Sequence, residues 1–144
     1  MPNYLLPAEL KTVGVDAVLT MITDADDTII PIIINETEDV FRSYMGGLYN
    51  VDVIFAKTLL ERSNILLKYM KDIIVYEVYI RKSKELNEVV RLRYEDAMRW
   101  LDKVSKGQIT LNLPFAGGGD LDRDGMADGE FFFNNGKKNY QSNF

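Results

Sequence analysis

The 144-residue chain contains no cysteine and no histidine. Without cysteine there is no disulfide framework, no thiolate nucleophile and no thiolate metal site. Without histidine the commonest general base and metal ligand is missing. The two absences together exclude Cys/His zinc sites, Cys–His dyads and Ser–His–Asp triads, so only carboxylate, lysine or tyrosine chemistry remains. A basic excess is also lacking: 17 Lys and Arg stand against 22 Asp and Glu, for a formal charge of −5. That balance runs against a general nucleic-acid binder or a small helical transcription regulator, which would show a basic face. No uninterrupted apolar run approaches the ~20 residues of a membrane-spanning helix, and no charged segment followed by an apolar one marks a secretory leader. The expectation is a soluble protein with no membrane partner, made in the cytoplasm.

Glycine and proline are absent from 48–106 and crowded after it. Six of the ten glycines (Gly117, Gly118, Gly119, Gly125, Gly129 and Gly136) and five of the seven phenylalanines follow position 107, so a helical body carrying a different kind of tail is predicted. Pro7 suits a first helical turn, with Glu9 at its positive end, and a short helix over 7–13 should stop at Gly14. Asp16 can cap a second short helix through Ala17, Val18, Leu19, Met21 and Ile22. After the polar turn Thr23–Asp27, the residues Ile30, Ile33, Ile34, Thr37, Phe41 and Tyr44 form a helical stripe ending at Gly46-Gly47. The β-branched Ile29–Ile34 run has strand propensity, but Pro31 and the later spacing favour a helix starting near it.

The unpunctuated span predicts two long helices. The first covers roughly 54–82, nearly all-round apolar and central, with Tyr69, Tyr76 and Tyr79 as core or subunit-interface residues. Lys82–Glu85 connects it to the last helix, which Asn87 can cap. In that last helix Val90, Tyr94, Ala97, Leu101 and Val104 recur at spacings of four and three, and Gly107 stands where a left-handed cap would end it. Tyr94 and Trp100 read as packing on this helix.

The stretch Arg93-Tyr94-Glu95-Asp96-Ala97-Met98-Arg99-Trp100-Leu101, followed by Val104 and Gly107, resembles the closing helix of small phage Mu-like structural proteins. Tailed phages and prophages use these as head–tail connectors. Tyr4, Pro7 and Leu10 are similar to the family's opening, Thr23-Asp24 to the pair before its acidic turn, and Ser43–Tyr49 to its Tyr-Leu-x-x-Arg-Tyr segment. Leu48 departs from the arginine usual before that tyrosine. The resemblance covers about 4–111. It implies an all-α fold of about four to five helices with no catalytic residues. Subunits would assemble as a homo-oligomeric ring, commonly twelvefold, beneath the portal protein and bridging it to a tail-side connector or tail protein. Genomic DNA would pass through the ring without sequence-specific binding, and an acidic subunit would give it a repulsive or neutral wall. The location implied is the virion head–tail junction.

The remainder, 112–144, is expected to be an extended Gly/Phe-rich arm. Asp120-Leu-Asp122-Arg-Asp124-Gly125-Met-Ala-Asp128 reproduces the spacing of calcium loops, in which alternate carboxylates converge on one hard cation and glycine permits the turn. However, position twelve is Phe131 where an EF-hand carries glutamate. The alternatives are a calcium-binding interaction module, with Asp120, Asp122, Asp124 and Asp128 as ligands, or a solvated acidic turn. Phe131, Phe132 and Phe133 in a polar, glycine-rich context suggest an apolar partner surface. With Phe115 they are the expected partner-binding anchors, on a neighbour or folded back on the body. An enzyme seating magnesium on Asp24, Asp26 and Asp27 is the third class; those residues read more simply as a turn.

Overall fold

A computed structural model describes residues 3–14, 28–82 and 87–117. The expected helix over 17–22, the Thr23–Asp27 turn and most of the 82–85 connection lie outside these residues, as does everything after Gly117. Within them the fold is all-α, as expected, and its only β feature is an isolated antiparallel bridge between Tyr49 and Phe115.

Pro7–Val13 forms a short 3-10 helix ended by Gly14 at φ 84°. Helix α1, Ile29–Met45, accepts Pro31 in its first turn, where a missing N–H breaks no helical bond. It buries Ile30, Ile33, Ile34, Thr37, Phe41 and Met45. Met45 takes the last core position that the sequence pattern gives to Tyr44. Met45 follows Phe41 by four residues, whereas Tyr44, at three, falls on the edge of the stripe and is partly exposed. The one buried polar side chain of this face, Thr37, donates its hydroxyl to the Ile33 carbonyl at 2.9 Å.

The long helix expected over 54–82 is three elements. Helix α2, Val51–Phe55, is capped by Asn50, whose side chain accepts from the Val53 N–H. A 3-10 turn, Leu59–Glu61, follows, and helix α3 runs only from Asn64 to Lys82. Leu59 has φ 53°, a left-handed conformation no α-helix can contain. Ser63 then restarts the helix: its carbonyl accepts from Leu67 N–H at 3.1 Å and its hydroxyl from Leu66 N–H at 3.4 Å. Helix breaking here uses polar caps rather than glycine or proline.

Helix α4, Glu88–Ser105, begins as expected, with the Asn87 side chain accepting from Val89 and Val90 N–H. It ends in a Schellman arrangement. Gly107, at φ 74°, donates to the Val104 carbonyl, and Gln108 donates to that of Lys103. The helix buries Val90, Ala97, Trp100, Leu101 and Val104. Tyr69 stacks on Trp100 with centroids 4.3 Å apart, and Tyr76 on Tyr94 at 3.8 Å. These pairings run in opposite sequence directions, so α3 and α4 are antiparallel. Arg81 on α3 pairs with Glu36 on α1 at 3.0 Å, and Leu48 lies against Gly107. The C-terminal ends of α1 and α4 and the N-terminal end of α3 therefore gather at one end of the bundle.

The chain does not leave the body at Leu111. Leu111 is buried, and its N–H donates to the Tyr49 hydroxyl at 2.8 Å. Asn50 N–H then donates to the Pro114 carbonyl and Ala116 N–H to that of Leu48, both at 2.9 Å.

Candidate interaction surfaces

One long-range polar knot organises the end of the bundle where α3 begins. Arg62 grips Glu9 with two hydrogen bonds, Nη2 to Oε1 at 2.6 Å and Nη1 to Oε2 at 2.8 Å. Nη1 also donates to the Tyr4 carbonyl at 2.7 Å and Nε to the Leu59 carbonyl at 2.8 Å. The Leu6 N–H donates to the same Glu9 carboxylate at 2.8 Å. Bidentate pairing of this kind fixes orientation as well as charge. The hydrogen bonds from Arg62 hold the Glu9 carboxyl below its ordinary range, and Glu9 in turn raises the guanidinium. Tyr4 completes the knot: its hydroxyl accepts from Ser63 N–H at 2.7 Å, and its ring meets Phe55 edge-on. Burial pushes its phenol up.

The knot holds an apolar surface outward. Leu59 is 72% exposed and Leu60 fully so, with Leu6 half-exposed nearby. A cavity of about 250 Å³ opens here, lined by Asn3, Tyr4, Leu6, Thr58, Leu59 and Arg62. A leucine in the left-handed region carries a steric cost of about 1–2 kcal/mol, and Arg62 pins the carbonyl of that very residue. No glycine or proline marks this loop, and the sequence pattern, which predicts a continuous helix over 54–82, does not reveal it. Its only sequence signal is two adjacent leucines between polar Thr58 and Glu61-Arg62-Ser63.

Two further apolar surfaces lie elsewhere. Val40, Tyr44 and Leu48 are partly exposed at spacings of four from α1 onward, and Ile80, Val89 and Leu92 are exposed where α3 ends and α4 begins. A polar cleft on another side holds Thr12, Lys68, Lys71, Asp72 and Arg93. Burial raises the Asp72 carboxyl more than the nearby Lys68 and Arg93 lower it. Lys71 and Arg93 also tie down the N-terminal segment: Lys71 donates to the Thr12 hydroxyl and Arg93 to the Val13 carbonyl. This is a cross-braced joint between elements.

Of the residues picked out from sequence, Asp120, Asp122, Asp124 and Asp128 lie outside the described residues, as do Asp24, Asp26 and Asp27 and the Phe131–Phe133 triplet. Among the described residues no group of three or more acidic side chains is placed to hold a metal ion. Phe115 is described, and it stacks on Tyr49 of its own chain with centroids 5.2 Å apart. Tyr94 and Trp100 pack as expected, each against a tyrosine of α3. No helix among the described residues is long and apolar enough to cross a membrane.

Comparison with known proteins agrees with the wording of the sequence. The family model described as Bacteriophage Mu, Gp36 matches residues 4–125, and the chain belongs to that family. No curated protein and no solved structure matches it.

Proposed function

We propose that this member of the Mu Gp36 family is a virion head–tail connector. It would form a ring beneath the portal, bridge it to a tail-side protein and leave an axial path for DNA. Its role would be architectural rather than catalytic. The observation that carries this reading is the apolar surface the bundle leaves outside itself. A body of this size has sealed a core, including Phe41, Met70 and Leu101, yet it exposes leucine, isoleucine and tyrosine at its tip, along α1 and at the α3–α4 end. Apolar patches on different sides of one subunit suit heterologous contacts, which close into a ring when the rotation between copies divides a full turn. The family's habit suggests about twelve copies of such a heterologous contact.

The acidic balance supports a conduit that does not grip its cargo. A polyanion slides past neutral or negative walls, whereas a basic lining would hold it through many phosphate contacts. The segment beyond Gly117 would serve as an arm reaching an adjacent subunit, since three consecutive phenylalanines call for apolar cover. Native mass measurement of the purified full chain, at low and moderate protein concentration, tests the ring. A closed oligomer is expected, with no salt-sensitive binding to duplex DNA. A monomer at all concentrations, or steeply salt-dependent duplex binding, contradicts the reading.

A further inference from the structure

The loop Thr58–Arg62 combines two properties that rarely meet. It exposes two adjacent leucines, one of them at positive φ, and it is braced from inside by four hydrogen bonds from one arginine. Backbone strain persists only where the surroundings over-determine it, and such outliers gather at binding sites. Here the over-determining groups are Arg62 and Glu9, and the product is a fixed apolar rim: Leu6 and Leu59 line the cavity with Tyr4, and the fully exposed Leu60 follows Leu59.

We propose that this rim is the receptor for the Phe131–Phe133 segment of an adjacent copy of the same chain, an inference that rests on the ring reading. Three arguments select this occupant. First, it is chemically matched: the cavity of about 250 Å³ has room for one aromatic ring beside the exposed Leu60, and the Phe131–Phe133 triplet supplies aromatic side chains. Second, the chain is placed to deliver it. Ala116 is bonded to Leu48, and Leu48 lies against Gly107, at the end of the bundle where α3 begins just after the tip. Cyclic symmetry repeats every point at its own level, so with the bundles aligned along the ring axis the start of 118–144 would stand level with the neighbour's rim. Third, it is long enough, since residues 118–130 reach up to about 45 Å when extended.

The absence of cysteine makes the test direct. The full-length double variant Leu60→Cys/Phe133→Cys is oxidised mildly and separated under denaturing, non-reducing conditions, alongside each single variant. Leu60 is fully exposed, so its replacement leaves the fold intact. A ladder of covalent oligomers from the double variant, with single variants stopping at dimers, is expected. A variant that is a ring by native mass but gives no ladder, or only an intramolecular bond, overturns the receptor assignment and leaves the ring reading standing. A variant that stays monomeric, when the cysteine-free chain is monomeric too, sinks both.

Discussion

Arg62 and Glu9 are separated by 53 positions in sequence and joined by paired hydrogen bonds of 2.6 and 2.8 Å. Their pairing ties the N-terminal 3-10 helix to the loop entering α3 and at the same time fixes the left-handed Leu59. Glu9 is held below its ordinary pKa chiefly by Arg62. A depressed carboxylate stabilises the fold above its ordinary pKa, and that contribution is lost as pH falls through the folded value. Acid unfolding of the native chain should therefore include a Glu9 component. In Glu9→Gln this component disappears, and stability at neutral pH falls by about 1.5–3 kcal/mol, the range for hydrogen bonds to charged groups. Denaturant titrations of both proteins between neutral and acidic pH would measure it.

Asp72 behaves in the opposite sense. Burial raises its folded pKa despite Lys68 and Arg93, so the charged form is disfavoured in the native state. The penalty is complete above the folded pKa and vanishes as pH falls below the ordinary aspartate value. Asp72→Asn should raise the melting temperature at pH 7 and have progressively less effect in acid. Calorimetry at the two ends of that range checks the sign.

The last helix offers a contrast of faces. Leu101 is fully buried, and Leu101→Ala should cost about 2–5 kcal/mol. Arg91, which pairs with Glu88 and Glu95 on the outer surface, should be replaceable by alanine with little change. Equal effects of the two substitutions on thermal unfolding would place the buried face wrongly.

Leu59 should be one of the rare positions where glycine is welcome. Relief of left-handed strain, worth about 1–2 kcal/mol, competes with the roughly 0.5–1 kcal/mol entropic cost of glycine. Leu59→Gly should thus leave the monomer's stability unchanged or raise it by up to about 1.5 kcal/mol. Because it removes part of the rim, it should weaken assembly at the same time. Chemical denaturation and native mass of the same sample separate the two effects.

How much of this was legible in the sequence varies along the chain. Helix α4 could be read almost to the residue because its cues are local: Asn87 as cap, the four-and-three spacing of Val90 to Val104, and Gly107 at its end. The start of α1 was legible for a similar reason, since Pro31 is tolerated in a first turn. The break between α2 and α3 was not. It depends on Ser63, a weak signal beside a long apolar pattern, and on Arg62 reaching back to Glu9, a contact no local pattern encodes. For the same reason the exposed Leu59–Leu60 rim was invisible from sequence. Leucine pairs are usually buried, whereas these two are exposed on a loop that Arg62 braces against Glu9. The cluster of glycines and phenylalanines after it assigns Phe115 to an arm, whereas its stacking on Tyr49 depends on where α1 ends.

The connector reading stands or falls on where the protein sits in an assembled particle. Cryo-electron microscopy of virions or tailed capsids carrying this chain, reconstructed about the tail axis, tests it most directly. A closed ring of copies between portal and tail, surrounding the DNA path, is expected. Copies found only on the outer capsid shell, or none in the particle at all, would contradict it.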